Sequence, residues 1–93
     1  LELQKDIQQV VDWYNQQKQG LGKRFFTITQ KHLRQLKNSA LHFSVLYDDV
    51  RCMPITKFPY LVHYRVDMKI KTVFVEALLH TSRDPQILKR RIT

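Results

Sequence analysis

The sequence predicts an α+β fold in which an N-terminal antiparallel helical hairpin packs on one face of a small antiparallel β-sheet. Three observations predict it. Apolar residues recur every three or four positions as far as about residue 37. Beyond "NS" the period shortens to two. The break within the helical stretch is only about four residues long, which returns the second helix antiparallel to the first. With 93 residues the chain is expected to be one domain spanning 1–93, burying roughly 60–68% of its unfolded surface without disulfides or metals.

In the first helix, expected from Leu1 to about Gln17, the apolar positions are Leu3, Ile7, Val10, Val11 and Tyr14; the opposite face is rich in glutamine. Gly20 and Gly22 flank Leu21 as a cap and turn. The second helix is expected from about Gly22 to Lys37. Leu21, Phe25, Ile28, His32 and Leu36 line one stripe, Phe26, Thr29 and Leu33 lie beside it, and Lys23, Arg24, Lys31, Arg34 and Lys37 fall largely outside. His32 reads as a packed histidine rather than a ligand, and Trp13 and Tyr14 as packing residues rather than stacking platforms.

Phe43, Val45 and Tyr47 suggest a first strand that "YDD" interrupts. "VRCM" is a short strand that Pro54 should end, since proline donates no ladder hydrogen bond. "PYLVHYRV" and "KTVFVEALLH" are rich in β-branched and aromatic residues, and "DMKI" between them is short enough for a hairpin turn. "PQILKRRI" could add a last helical turn with Pro85 at its first position.

A two-residue turn at Met68-Lys69 would pair Tyr64 with Val73, Val62 with Val75 and Tyr60 with Ala77, an apolar face for the helices to cover. The same register places Leu61, His63, Arg65, Phe74, Glu76 and His80 on the other face, with Lys57 near His80 and Arg51 joining from "VRCM". A slip of one residue would exchange the faces. This outer face is half apolar and half basic, and is followed by Arg83, Lys89, Arg90 and Arg91; its Leu61, Phe74 and Leu78 would form a patch of a kind that monomers usually cover. Glu76 is expected to offset a neighbouring cation.

Sixteen Lys and Arg against eight Asp and Glu give a formal charge of +8, which favours a polyanion or an acidic protein as partner. One cysteine, Cys52, and four scattered histidines provide no closely spaced zinc pair, and no glycine-rich phosphate loop is present. No metal or cofactor is expected. In the expected register His63 and His80 stand about 20 Å apart at strand rise, too far to share one scissile phosphate. Any phosphoryl chemistry would therefore rest on Lys and Arg, with His80 or Tyr60 moving a proton. No stretch has the roughly 18 consecutive apolar residues of a membrane span, nothing near Leu1 resembles a secretory h-region, and a cytosolic location is expected. Residues upstream of Leu1 are also expected.

The order helix, helix, strand, strand, strand, with "DWYNQQKQGLGKRFF", "VRCMPITKFPYLVHYRVD" and "VEALLHTSRDP" in succession, resembles the RelE/ParE superfamily of bacterial type II toxin–antitoxin toxins over nearly the whole chain. Members usually begin with one further strand in the same sheet, which is missing here and would leave an exposed sheet edge. The resemblance implies a cytoplasmic growth inhibitor held by an acidic antitoxin that wraps it, a partner suited to the +8 charge. RelE-like toxins cut messenger RNA in the ribosome with dispersed Lys, Arg and Tyr side chains; ParE-like toxins poison DNA gyrase. In a RelE-like reading Arg65, His80 and Arg83 are the candidate catalytic residues, with Arg51 and Lys57 in supporting parts. The segment "QILKRRI" offers no tyrosine where RelE-like enzymes tend to carry one, and "YRVD…LLHTSRDP" looks closer to the ParE branch. The expected function is thus a ParE-like gyrase poison, with a ribosome-dependent endoribonuclease as alternative and a non-toxic basic nucleic-acid-binding module as a second. The surface expected to meet target or antitoxin comprises Arg51, Lys57, Leu61, His63, Arg65, Phe74, His80, Arg83, Lys89 and Arg90.

Overall fold

The computed structural model describes residues 2–82. Two helices, α1 (Glu2–Gln17) and α2 (Leu21–Ser39), precede four strands, β1 (Val45–Tyr47), β2 (Val50–Pro54), β3 (Tyr60–Asp67) and β4 (Thr72–His80). The strands form one antiparallel sheet in the order β1-β2-β3-β4, and the helical hairpin covers one side of it. The expected "PQILKRRI" turn lies outside the described residues.

The Gly-Leu-Gly joint works through both glycines. Gly20 has φ +86°, a left-handed conformation that a Cβ would strain, and it stands at the N-cap of α2. Gly22 is buried where the helices cross; a Cβ there would overlap the Val11 carbonyl oxygen and the Asn15 side chain. Asn15 Oδ1 in turn accepts a hydrogen bond from the Gly22 N–H at 2.9 Å, so α1 satisfies an orphan donor at the start of α2.

Between helices and sheet lies the main core. Phe25, Leu36, Met53, Ile55, Val62, Tyr64 and Leu78 are buried in it together with Ile7 and Val10 of α1. Rings concentrate at one end: Tyr14 and Phe25 meet each other, and each meets Phe58 and Tyr60, at centroid distances of 5.0 to 6.3 Å. Trp13 differs from expectation, being 52% exposed with its ring against the edge of Tyr14. At the other end the Tyr64 hydroxyl donates to the Ala40 carbonyl at 2.6 Å, tying the central strand to the end of α2. His32 pins α2 to the β2–β3 turn: its Nε2 accepts the Thr56 N–H at 3.3 Å and meets Thr56 Oγ1 at 2.8 Å.

The β3–β4 hairpin departs from the expected register. Its loop is four residues long, not two: Asp67 pairs with Thr72 and Val66 with Val73, so Tyr64 opposes Val75 and Arg65 opposes Phe74. The reason is local. Asp67 Oδ1 accepts the N–H groups of Lys69 and Ile70, and Lys71 turns the chain with φ +51°. A carboxylate that captures two loop donors favours the wider turn, whereas a two-residue turn needs Asn-Gly or a similar pair, absent from "DMKIK". A bulge then falls between His63 and Tyr64, which pair with Ala77 and Val75 and leave Glu76 as the extra residue. Past that bulge β4 exchanges its faces. Leu78 opposes Val62 and enters the main core, and His80 opposes Tyr60, with ring centroids 5.2 Å apart.

Strand β4 is one edge of the sheet. Asp6 of α1 meets that edge, its Oδ2 accepting the Leu78 N–H at 3.1 Å. One outward donor of β4 is thereby taken up by a helix carboxylate, a means of blunting an edge.

Candidate functional site

On the side of the sheet away from the main core, alternation along β3 presents Leu61, His63 and Arg65. β4 adds Phe74, Glu76, Ala77 and Leu79, β2 adds Val50 and Cys52, and β1 adds Tyr47. Their environments differ along the strand. Val50, Ala77 and Leu79 form a second, smaller buried cluster with Tyr47 against it.

His63, in the middle of this face, is only 4% exposed. Its Nδ1 lies 2.8 Å from the Tyr47 hydroxyl and 3.4 Å from Cys52 Sγ. Burial pushes the Tyr47 phenol up to about 12 and the Cys52 thiol up to about 11, so both keep their protons at neutral pH. A phenol and a thiol that keep their protons can each donate to or accept from the ring nitrogen, so both neutral tautomers of His63 satisfy this cluster. Burial also lowers the His63 pKa from its ordinary value. Through these contacts His63 ties β3 to Tyr47 of β1 and Cys52 of β2.

Toward the hairpin turn the face becomes accessible. Arg65 Nε donates to Glu76 Oε1 at 2.5 Å, and its guanidinium carbon stands 5.9 Å from the centre of the Phe74 ring. The Glu76 hydrogen bond, reinforced by its charge, raises the Arg65 pKa and keeps the guanidinium ionised. Held on one side by a carboxylate and below by a ring, Arg65 keeps its terminal N–H groups for a ligand. Phe74 is 43% exposed. Asp49, Met68 and Lys69 complete a cleft around this pair.

The other expected residues separate. Arg51 opposes Tyr64 and therefore belongs to the helix side, where its Nη1 donates to the Phe43 carbonyl at 2.6 Å; it secures the loop after α2 and is not part of the outer face. His80, carried to the helix side by the bulge, packs on Tyr60 and holds the Ser82 hydroxyl and N–H at its Nδ1, 2.9 and 3.1 Å away. Lys57 has φ +70° in the exposed β2–β3 turn, at the same end of the sheet as His80. Three positions of β3 separate His63 from Tyr60, the partner of His80, about 10 Å rather than 20 Å, yet the two rings lie on opposite sides of the sheet. Arg83, Lys89 and Arg90 lie outside the described residues. What sequence reasoning missed are Tyr47 and Cys52 as partners of His63. A signal existed, since a histidine in the middle of an apolar strand needs a polar neighbour from an adjacent strand.

Among the described residues no three His, Cys, Asp or Glu side chains converge on a possible metal site, and no helix is long and apolar enough to cross a membrane. Neither a curated protein nor a solved structure matches the chain significantly. The sequence model of one family does: the ParE toxin of the parDE type II toxin–antitoxin system, over residues 2–85. That match runs through both helices, all four strands and the outer face carrying Arg65 and Phe74, and the chain accordingly belongs to the ParE toxins of type II toxin–antitoxin systems.

Proposed function

We propose that this toxin acts in the bacterial cytoplasm as a poison of DNA gyrase, and that an acidic segment of its cognate antitoxin covers the outer face of the sheet at rest. The family supplies the toxin role and the antitoxin partner. The observation that supports gyrase over message cleavage is that the sheet stands between the candidate cation, Arg65, and the candidate proton donor, His80. Arg65 and His80 sit on opposite sides of the sheet, five β3 positions or roughly 17 Å apart along the strand. A proton donor so placed cannot act on a phosphate held by Arg65. His63, the nearer imidazole, is committed to Tyr47 and Cys52.

Without that acid/base pair the outer face is better suited to binding than to chemistry. Leu61 and Phe74 provide apolar area, and Arg65 provides a pre-oriented cation over an aromatic ring. Arg83, Lys89 and Arg90 would extend the same contact on sequence grounds, with Lys57 at its far end. Supercoiling by purified gyrase in the presence of the purified toxin tests the proposal. Inhibition, with ribosome-bound message left uncut in primer extension, is the expected result. Untouched supercoiling together with cuts in the message would replace the gyrase reading by the RelE-like one. Harmless overexpression of soluble toxin would point instead to a basic nucleic-acid-binding module.

A further inference from the structure

The exposed side of α2 is a separate feature that the outer sheet face does not use. Lys23, Arg24, Lys31, Arg34 and Lys37 are all exposed, and the 19 residues of this helix include no Asp or Glu. At 100° per residue the five cations fall within an arc of about 140°, centred opposite the stripe of Gly22, Phe25, Thr29 and Leu36 that faces the core. Along the axis they extend about 21 Å. None of them forms an ion pair with a described residue; the pair formed is Arg65–Glu76, on another surface. Like charges three positions apart, Lys31 with Arg34 and Arg34 with Lys37, repel one another. A merely solvated face normally mixes both signs. The acidic side chains Asp49, Asp67 and Glu76 gather instead near the Arg65 cleft, so charge is segregated between the two surfaces.

We propose that this face of α2 is a binding site for the phosphate backbone of duplex DNA, with the helix lying in the major groove. Apolar content on the arc is low, and Thr27, Gln30 and Asn38 are interleaved with the cations. Such a mixture of Lys, Arg and uncharged donors is the set that contacts phosphate oxygens. It lacks the apolar centre that a protein partner would bury. A groove about 12 Å wide admits an α-helix, and cations at both margins of a 140° arc reach phosphates on both walls. Duplex RNA offers a deep, narrow major groove that excludes a helix. Single strands are held on aromatic platforms, and on this side of α2 only the half-exposed Phe26 comes near the arc. The site is independent of the gyrase assignment, since it concerns the toxin and DNA alone.

Fluorescence anisotropy of a labelled B-form duplex of about 20 bp, titrated with the toxin between about 50 and 200 mM salt, tests it. Wild type should bind independently of sequence, with a log K against log salt slope of roughly −4. The variant carrying Lys23→Gln, Arg24→Gln, Lys31→Gln and Arg34→Gln should lose about 3 from that slope and bind at least about tenfold more weakly at the lower salt. Circular dichroism should be unchanged, because all four side chains are exposed. Lys69→Gln with Lys71→Gln, which removes charge at the hairpin turn, should leave the slope within about 1 of wild type. No duplex binding by wild type, an unaltered slope in the α2 variant, or equal binding of duplex RNA or single-stranded DNA of the same sequence would each overturn the proposal. Supercoiling measured on the same proteins reports separately on the gyrase reading.

Discussion

Phe25 and Phe74 stand on the two sides of one sheet and are used in opposite ways. Phe25 has no exposed surface and is ringed by Tyr14, Phe58 and Tyr60. Phe74 is 43% exposed and serves as a platform beneath Arg65. The helix side is cohesive because apolar area is removed from water there. The outer side adds to a small buried cluster of Val50, Ala77 and Leu79 the polar contacts of His63 with Tyr47 and Cys52 and of Arg65 with Glu76, and leaves Phe74 exposed for a partner. Stability and binding are thus assigned to different sides of the same strands, and substitutions can separate them.

The largest effect should come from the helix side. Phe25→Ala should lower unfolding free energy by about 3–5 kcal/mol in urea denaturation, because it opens a cavity amid rings that cannot collapse together. Phe74→Ala, removing the same atoms from a half-exposed site, should change it by less than about 1 kcal/mol. Equal losses would erase the distinction drawn between the two sides. Gly22→Ala should follow, costing about 1–3 kcal/mol because the new Cβ meets not only the Asn15 side chain but also the Val11 backbone carbonyl, which cannot move aside. A Tm equal to wild type would show that the helices cross less closely than described.

Tyr47→Phe should cost about 1 kcal/mol through the lost hydrogen bond to His63. The same cluster sets a pH dependence. Folding lowers the His63 pKa below its unfolded value of about 6.5, so the stability contributed by the neutral ring is present above about 6.5 and is lost as pH falls through the folded pKa. Wild type should lose more Tm between about pH 7.5 and 5 than His63→Gln does; parallel losses would remove His63 from the acid response. The smallest change is expected at Thr29, fully buried in α2 with no hydrogen-bond partner for its Oγ1. Thr29→Val keeps the shape and removes an unsatisfied hydroxyl, so it should be neutral or stabilise by up to about 1 kcal/mol. A clear loss would reveal a partner for that hydroxyl.

Much of this was legible in the sequence because periodicity is a local signal. The stripes of both helices, the Gly-Leu-Gly joint and the strands "YLVHYRVD" and "TVFVEALLH" each carry their own evidence within a few residues. Residues near the hairpin turn also kept their expected faces, since widening the loop from two residues to four shifts the pairing by an even number. The bulge at Glu76 is what pairing arithmetic could not anticipate. One extra residue moved Leu78 into the core and His80 across the sheet, away from Arg65. Arg51 was misplaced for a related reason: the β2–β3 register depends on a turn whose Lys57 adopts a left-handed conformation that its residue type does not announce. The family resemblance and the pairing of Glu76 with a cation needed no register to be recognised.

The most direct test of the account is growth after induction, without antitoxin, of wild-type toxin and of a variant combining Arg65→Gln with Phe74→Ala. The assay is paired with thermal denaturation of the two purified proteins. Wild type should arrest growth, and the variant should fold with a Tm close to wild type yet allow growth. A folded variant that arrests growth as strongly as wild type would contradict the central claim that the outer face of the sheet is the working surface of this toxin.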